Sequence, residues 1–257
     1  MKRYVIGDIH GNHKGLLQVL EQSNFDYEND LLIVLGDICD SWSDVKECFD
    51  EILKIKNTIR ILGNHDEWAY YYYTDKEHYH FKKDTSKWMQ HGGKATLLSF
   101  GRKMEQKYID YLESCVSYHI LDDNKIFAHG SIPNKLMVLE KAHPMYFLWN
   151  RDLLEKAYYK RDWEVDLPGE TADDRWNEIY LGHSIVSNYD DGVTTPQKWL
   201  NVWAMDTGSG FNGKLSMMDI DTKEVFQSER SMILYPTQEG RNKYCYNYYI
   251  KNNIKPF

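Results

Sequence analysis

An α/β fold that opens with a parallel βαβαβ unit is predicted by three features of this 257-residue sequence. Short apolar runs alternate with stretches of helical periodicity over residues 1–62. The run LLIVL at 31–35 stops at Gly36-Asp37, as a buried strand does when it delivers an acid at its carboxyl end. The chain then repeats that ending, in RYVIGDIHG before it and in TIRILGNHDE, KIFAHG and EIYLGHS after it. One Gly-Asp ending is an ordinary turn signal, but five endings rich in metal-ligand side chains call for a shared explanation.

Each element has its own warrant. Arg3–Ile6 reads as a strand, and the glycines of GDIHGN let the backbone double back. Leu16, Leu17 and Leu20 are spaced to share one face of a helix. After the strand at 31–35, residues 41–44 offer N-caps, and Asp44 with Glu47 fits an acidic relative of the capping box. Val45, Cys48, Phe49, Ile52 and Leu53 form the apolar stripe of a second helix, and 58–62 is the third strand. In such a parallel unit the ligand crevice lies at the carboxyl ends of the strands, where the first three motifs fall.

Residues 67–116 lose this rhythm. Trp68, Tyr70 to Tyr73, Tyr79, Phe81 and Trp88 crowd together with His78, His80 and His91, and 104–114 has helical spacing. The region is expected to be helical cover over one side of the site. Residues 116–121 and Lys125–Ala128 flank Asp122-Asp123-Asn124, a hairpin turn. Residues 131–178 form a lid-like insertion containing FLWNRD and an acidic run at 162–178 expected to be a solvated face. Glu178–Leu181 is a strand leading into GHS. Residues 198–205, 214–220 and 223–227 predict a β-meander, with turns at 208–213 and Asp221-Thr222. The tail 237–257, which carries Arg241, Lys243, Lys251 and Lys255, matches no element. A single domain over 1–257 is expected.

Bulk properties narrow the function. A net charge of −8 argues against broad affinity for nucleic acid or anionic membranes. Cys39, Cys48, Cys115 and Cys245 form no C-x-x-C pair, so a reducing, cytoplasmic location is expected. No apolar window has the length of a membrane span, and the start is too short for a signal peptide.

The side chains at the strand ends suggest the chemistry. Asp8 and His10 stand two apart in a turn, where a carboxylate and an imidazole can aim at one point. Asp37 has two oxygens and can bridge two cations, and Asn64 offers a neutral carbonyl oxygen. His129 and His183 each end an apolar run. Taken singly, Asp8 reads as a helix cap and either histidine as a satisfied polar group. Together they predict a two-metal site centred on Asp37. Oxygen and nitrogen ligands without thiolate suit manganese, and also iron or zinc. Such a pair clamps the attacking and leaving oxygens of a displacement at phosphorus. His65, next to Asn64, projects into the same crevice as a general acid, and Asp40 is its expected carboxylate partner. Arg151 can grip phosphate oxygens bidentately, or else pair with Asp152 on the surface.

GDIHG, GDICD, GNHDE, AHG and GHS resemble the five-motif signature of calcineurin-like metallophosphoesterases. WMQHGG, LWNRD and MDTGSGFNGKLSMMDID further resemble the phosphoprotein phosphatase branch, in which lambda-type phosphatases and symmetrical dinucleoside-tetraphosphate hydrolases fall. The resemblance spans residues 3–221 and implies a β-sandwich flanked by helices. It implies that Asp8, His10 and Asp37 hold one metal and that Asp37, Asn64, His129 and His183 hold the other. It also implies His65 as the acid oriented by Asp40, and Arg151 as a phosphate-binding residue. The implied activity is phosphomonoester hydrolysis, Ser/Thr protein phosphatase-like, by direct attack of a metal-bridging hydroxide. Phosphorylated proteins, small phosphoesters or nucleotides are the implied substrates.

The chain departs from that family at one place. The D-R-G ending usual after the second aspartate of GDxxD is replaced by Ser41-Trp42, which removes one phosphate-gripping guanidinium. A Lys or Arg of the insertion is one source of a substitute. Trp42 is expected to pack in the core or to offer a stacking face to a nucleobase. With the aromatic cluster at 68–88, it motivates a second reading, dinucleoside polyphosphate hydrolysis. The missing arginine motivates a third, a catalytically idle module that recognises phosphate. Asp66 and Glu67 stand where the family has a glutamate.

Overall fold

The computed structural model describes residues 1–74, 85–161 and 171–242. Two five-stranded sheets lie at its centre. The first runs β10-β9-β1-β2-β3, with β1 Arg3–Ile6, β2 Leu31–Val34, β3 Asn57–Arg60, β9 Ser216–Asp219 and β10 Val225–Gln227. The second runs β4-β5-β6-β8-β7, with β4 Tyr118–Ile120, β5 Lys125–Ala128, β6 Glu178–Leu181, β7 Gln197–Trp199 and β8 Val202–Ala204.

The period-two alternation of side chains explains the layering. Tyr4, Ile6, Leu32 and Val34 face outward onto helices, while Val5 and Ile33 face the other sheet. Likewise Ile126, Ala128, Ile179 and Leu181 face outward, while Phe127 and Tyr180 stack 4.7 Å apart in the seam between the sheets. Strands covered on both faces must be apolar throughout, which is why the runs look continuous. The result is a β-sandwich flanked by helices that opens with the expected parallel unit: β1, α1 (His13–Gln22), β2, α2 (Val45–Ile52), β3.

Further helices cover one side of the site: α3 (Asn64–Thr74), α4 (Ser86–Gln90), α5 (Gly93–Phe100) and α6 (Gln106–Glu113). In the insertion, α7 (Pro144–Trp149) and α8 (Asp152–Lys160) bury Phe147, Leu153, Leu154 and Ala157 against the second sheet. A short α9 (Ser231–Leu234) follows β10.

Three expectations are corrected. Residues 198–205 are not one strand of a meander. They fold into the hairpin β7–β8 of the second sheet, with Leu200 at φ 54° in the turn, whereas β9 and β10 pair in the first sheet, β9 alongside β1. Asp44 occupies the N-cap of α2 but caps nothing, because its carboxylate is taken by Tyr235 Oη at 2.8 Å and Ser43 Oγ at 2.6 Å. Within the acidic run, Asp173 is buried against Arg175 rather than solvated. His78, Tyr79, His80 and Phe81, the acids at 162–170, Cys245, and the tail beyond Asn242 with Lys243, Lys251 and Lys255 lie outside the described residues.

Candidate metal centre

Parallel pairing brings strand ends from both sheets to one edge. Asp8 and His10 follow β1, Asp37 follows β2, and Asn64 and His65 follow β3 at the start of α3. From the second sheet, His129 follows β5, His183 follows β6 and Asp206 follows β8. The first two loops are joined through their main chains: His10 N–H donates to Asp37 O at 2.8 Å and Gly11 N–H to Ile38 O at 2.8 Å. Gly63 leaves room for Asp37, since a Cβ there would stand 2.2 Å from Asp37 Oδ1.

Two sets of ligand atoms converge, each within 4.8 Å: His10, Asp37 and His65, and Asp37, His129 and His183. Asp37 belongs to both. Asn64 joins the second set, its Oδ1 lying 2.9 Å from His129 Nε2. Asp8 stands beside these sets rather than in either, and its carboxylate accepts the His183 backbone N–H at 3.0 Å. Arg151 is exposed at the N-terminal end of α8, with Nη1 3.5 Å from Trp149 O and no ion pair to any described residue.

The donor set fits a cation. His129 Nδ1–H donates to Leu35 O at 2.8 Å, so its Nε2 lone pair is left facing Asn64 Oδ1 at 2.9 Å and Asp37 Oδ2 at 3.3 Å. Lone pairs packed this closely repel unless positive charge lies among them. Burial opposes a charged imidazole at His129, yet the Asp37 carboxylate outweighs it and pulls the group up to about 10, so a proton takes the place a cation would fill. His183 Nε2 is buried without a hydrogen-bond partner among the described residues. His10 Nδ1–H donates to Cys39 O at 2.9 Å, which turns Nε2 toward Asp37 Oδ2, 3.7 Å away. Fixing the far ring nitrogen in this way is how a ligating histidine is oriented.

Backbone strain concentrates here. Of nine described non-glycine residues at positive φ, five are His10, Asp37, Asp40, Ser41 and His183. Positive φ is unfavourable for side chains of this kind and persists where surrounding contacts over-determine it, which marks functional loops.

His65 Nδ1 lies 2.6 Å from Asp40 Oδ2, and its Nε2 faces the crevice. Asp40 is itself held on three sides. Trp88 Nε1–H donates to both of its oxygens at 2.9 and 2.8 Å, Thr96 Oγ1 donates to Oδ1 at 2.6 Å, and Asp40 N–H donates back to Thr96 Oγ1. Burial pushes the Asp40 carboxyl up to about 7, against those donors, and pushes His65 down to about 3.

Four further residues take part that the sequence reading did not place in the site. Trp88 and Thr96 hold Asp40. Asp206 is buried beside Asp8 and is raised to about 6 by that burial; its signal was an apolar run ending in an acid, as at Asp8 and Asp37. Arg241, from the tail, reaches to 3.4 Å from His10 Nε2 and 3.3 Å from His65 Nε2. Asp66 instead secures the GDICD loop by accepting the Ile38 and Cys39 N–H groups at 2.9 and 3.0 Å. Trp42 is wholly buried, so it offers no face to a nucleobase.

A family model described as calcineurin-like phosphoesterase matches residues 1–205. The chain is 25% identical to the symmetrical bis(5'-nucleosyl)-tetraphosphatase of Baumannia cicadellinicola, over 95% of this chain and 96% of that protein. It is 29% identical to serine/threonine-protein phosphatase 2 of Salmonella typhimurium, over 84% and 92%. A metallophosphoesterase structure from Sphaerobacter thermophilus superposes with TM-score 0.54 at 15% identity, covering 95% of this chain and 97% of that one, which shows a shared fold.

Proposed function

The chain belongs to the calcineurin-like phosphoesterases, and from that membership we propose that it hydrolyses phosphomonoesters, Ser/Thr protein phosphatase-like, using two divalent cations with manganese foremost and iron or zinc as alternatives. The observation that carries this reading is Asp37, shared by two converging ligand sets beside the His65–Asp40 pair. When bound, the cation pair supplies Lewis-acid polarisation of phosphoryl oxygens and makes water more acidic. Asp37, His10, His129, His183 and Asn64 would hold the cations, with Asp8 supporting through His183 or ligating directly.

The remaining steps belong to the chain's own groups. Burial favours the neutral imidazole at His65, so the ring takes up a proton as the anionic phosphate enters and then delivers it from Nε2 to the leaving oxygen, while Asp40 keeps the ring turned toward the crevice. Arg151, at the start of α8, approaches phosphate from the insertion side. A Trp88→Phe variant keeps an aromatic ring, though a smaller one, in this buried position and deletes the donor to Asp40. Turnover is expected to fall about tenfold, the scale of one hydrogen bond to a charged group, with metal content unchanged in an elemental assay. Unaltered turnover would detach Trp88 from the mechanism.

A second reading, dinucleoside polyphosphate hydrolysis, is favoured by the Baumannia relative, which is similar along nearly its whole length. The burial of Trp42 and the engagement of Trp88 with Asp40 remove two of the aromatic faces that motivated it. Manganese-loaded protein tested on phosphopeptides and on dinucleoside tetraphosphates separates the two by kcat/KM. We expect preference for phosphopeptides and loss of both activities on exhaustive chelation. Activity that survives chelation would refute the metal-dependent reading. An idle phosphate-recognising module predicts no turnover with any cation, and mere binding has no need of the His65–Asp40 pair. Free thiols at Cys39, Cys48 and Cys115 support a reducing, cytoplasmic setting. No described helix is long and apolar enough to cross a membrane.

A further inference from the structure

The guanidinium of Arg241 lies in the crevice without an anionic partner among the described residues. Its Nη1 faces two imidazole nitrogens, His10 Nε2 at 3.4 Å and His65 Nε2 at 3.3 Å, and its carbon sits 4.5 Å over the Phe211 ring. It makes no ion pair with any described residue, although four buried acids of the site lie near enough to act on its charge. Both imidazoles already use Nδ1 elsewhere, His10 on Cys39 O and His65 on Asp40. With a cation bound, the His10 lone pair would be taken and His65 would face substrate, so the planar fork of donors would have no acceptor left at Nη1 among the described residues. A tetrahedral oxyanion in the crevice satisfies it.

The path by which Arg241 arrives is equally specific. The tail segment 235–242 docks on residues 41–44, the stretch directly after Asp40. Trp42 stacks on Tyr235 at 5.2 Å and 18°, and its Nε1–H donates to Ser209 O at 2.7 Å. Gly240, at φ 55°, passes so close to Trp42 that a Cβ would stand 2.7 Å from its ring. Gln238 clasps Ser43 twice, accepting from its N–H at 3.0 Å and donating to its Oγ at 2.7 Å. Arg241 N–H then reaches Gly210 O at 3.4 Å. Ser41 and Trp42 therefore do more than omit an arginine: they form the seat for a segment that brings one from about 200 residues away. That segment lies beyond residues 1–205, which the family model matches.

We propose that Arg241, carried into the crevice by the segment docked on Trp42, is a substrate-binding residue that grips non-bridging phosphoryl oxygens. The assignment rests on the phosphoesterase reading above and deepens it. Its test uses the full chain loaded with manganese and two readouts, calorimetric binding of inorganic phosphate and hydrolysis of an aryl phosphate. Arg241→Ala is expected to weaken phosphate binding about 30-fold and to lower kcat/KM about 10²–10³-fold, the scale of one oxyanion donor. Metal content and melting temperature should stay at wild-type values. Free guanidinium at millimolar concentration should restore part of the lost kcat/KM to this variant and none to the wild type, which a purely structural arginine would not allow. Arg241→Lys, which keeps charge and stem, covers the case in which the alanine variant does not fold, and should recover part of the phosphate affinity but not the bidentate grip. Wild-type phosphate affinity in Arg241→Ala, or a loss traced to departed metal, overturns the assignment while leaving hydrolysis intact. Arg241-dependent phosphate binding by a wild type that cleaves no phosphoester would instead overturn the phosphoesterase reading and leave Arg241 as an anion-binding residue.

Discussion

An Asp37→Asn variant is expected to lose metal-dependent phosphoester hydrolysis by on the order of 10³-fold or more, because one side chain serves both ligand sets. Oδ2 lies 3.3 Å from His129 Nε2 and 3.7 Å from His10 Nε2, while Oδ1 accepts the His65 backbone N–H at 2.9 Å. Asparagine keeps the volume and replaces one of those oxygens by an N–H donor, which faces a cation with the wrong polarity. It also tolerates the left-handed backbone at φ 50°, so the fold is not disturbed by strain. Elemental analysis should show metal lost from the purified variant, and circular dichroism an unchanged fold. Full metal content with undiminished turnover would remove Asp37 from the centre of the site.

A His65→Ala variant is expected to lower turnover about 10²–10⁴-fold, the usual range for a positioned acid. The deficit should depend on the leaving group. An alkoxide leaving from a phosphoserine peptide needs its proton, whereas para-nitrophenolate leaves without one, so the aryl ester should suffer far less. This pair of substrates also settles a question the geometry raises. His65 lies in one ligand set with His10 and Asp37, the place where the family resemblance put Asp8. If His65 is the acid, metal content is retained and the loss is selective. Metal loss with equal damage to both esters would make His65 a ligand instead. Asp40→Asn should follow the same leaving-group trend more weakly, because it acts through His65.

The parallel opening, the strand ends and the acids, imidazoles and amide that follow them could all be read from local pattern. They depend on continuous apolar runs and on the side chains just past the end of each run, and both lie within a few residues of one another. The hairpin β7–β8 was misread because its two turn residues, Leu200 and Asn201, are not a standard turn pair, so the apolar pattern ran through them. Asp44 misled in the opposite way. Its sequence neighbours suit a cap, but Tyr235, 191 residues away, takes the carboxylate.

For the first three motifs, strand direction and short connections suffice to say that acids, an imidazole and an amide meet at one edge of a parallel sheet, whereas the sandwich that adds His129 and His183 was implied by the family resemblance. Which of those groups touch, and what supports them, was settled only by folding. Trp88 and Thr96 grip Asp40 across 48 and 56 residues, and Arg241 meets His10 across 231. A hydrogen bond between distant side chains leaves no periodicity in either segment, since it depends on how two surfaces dock rather than on what each surface is.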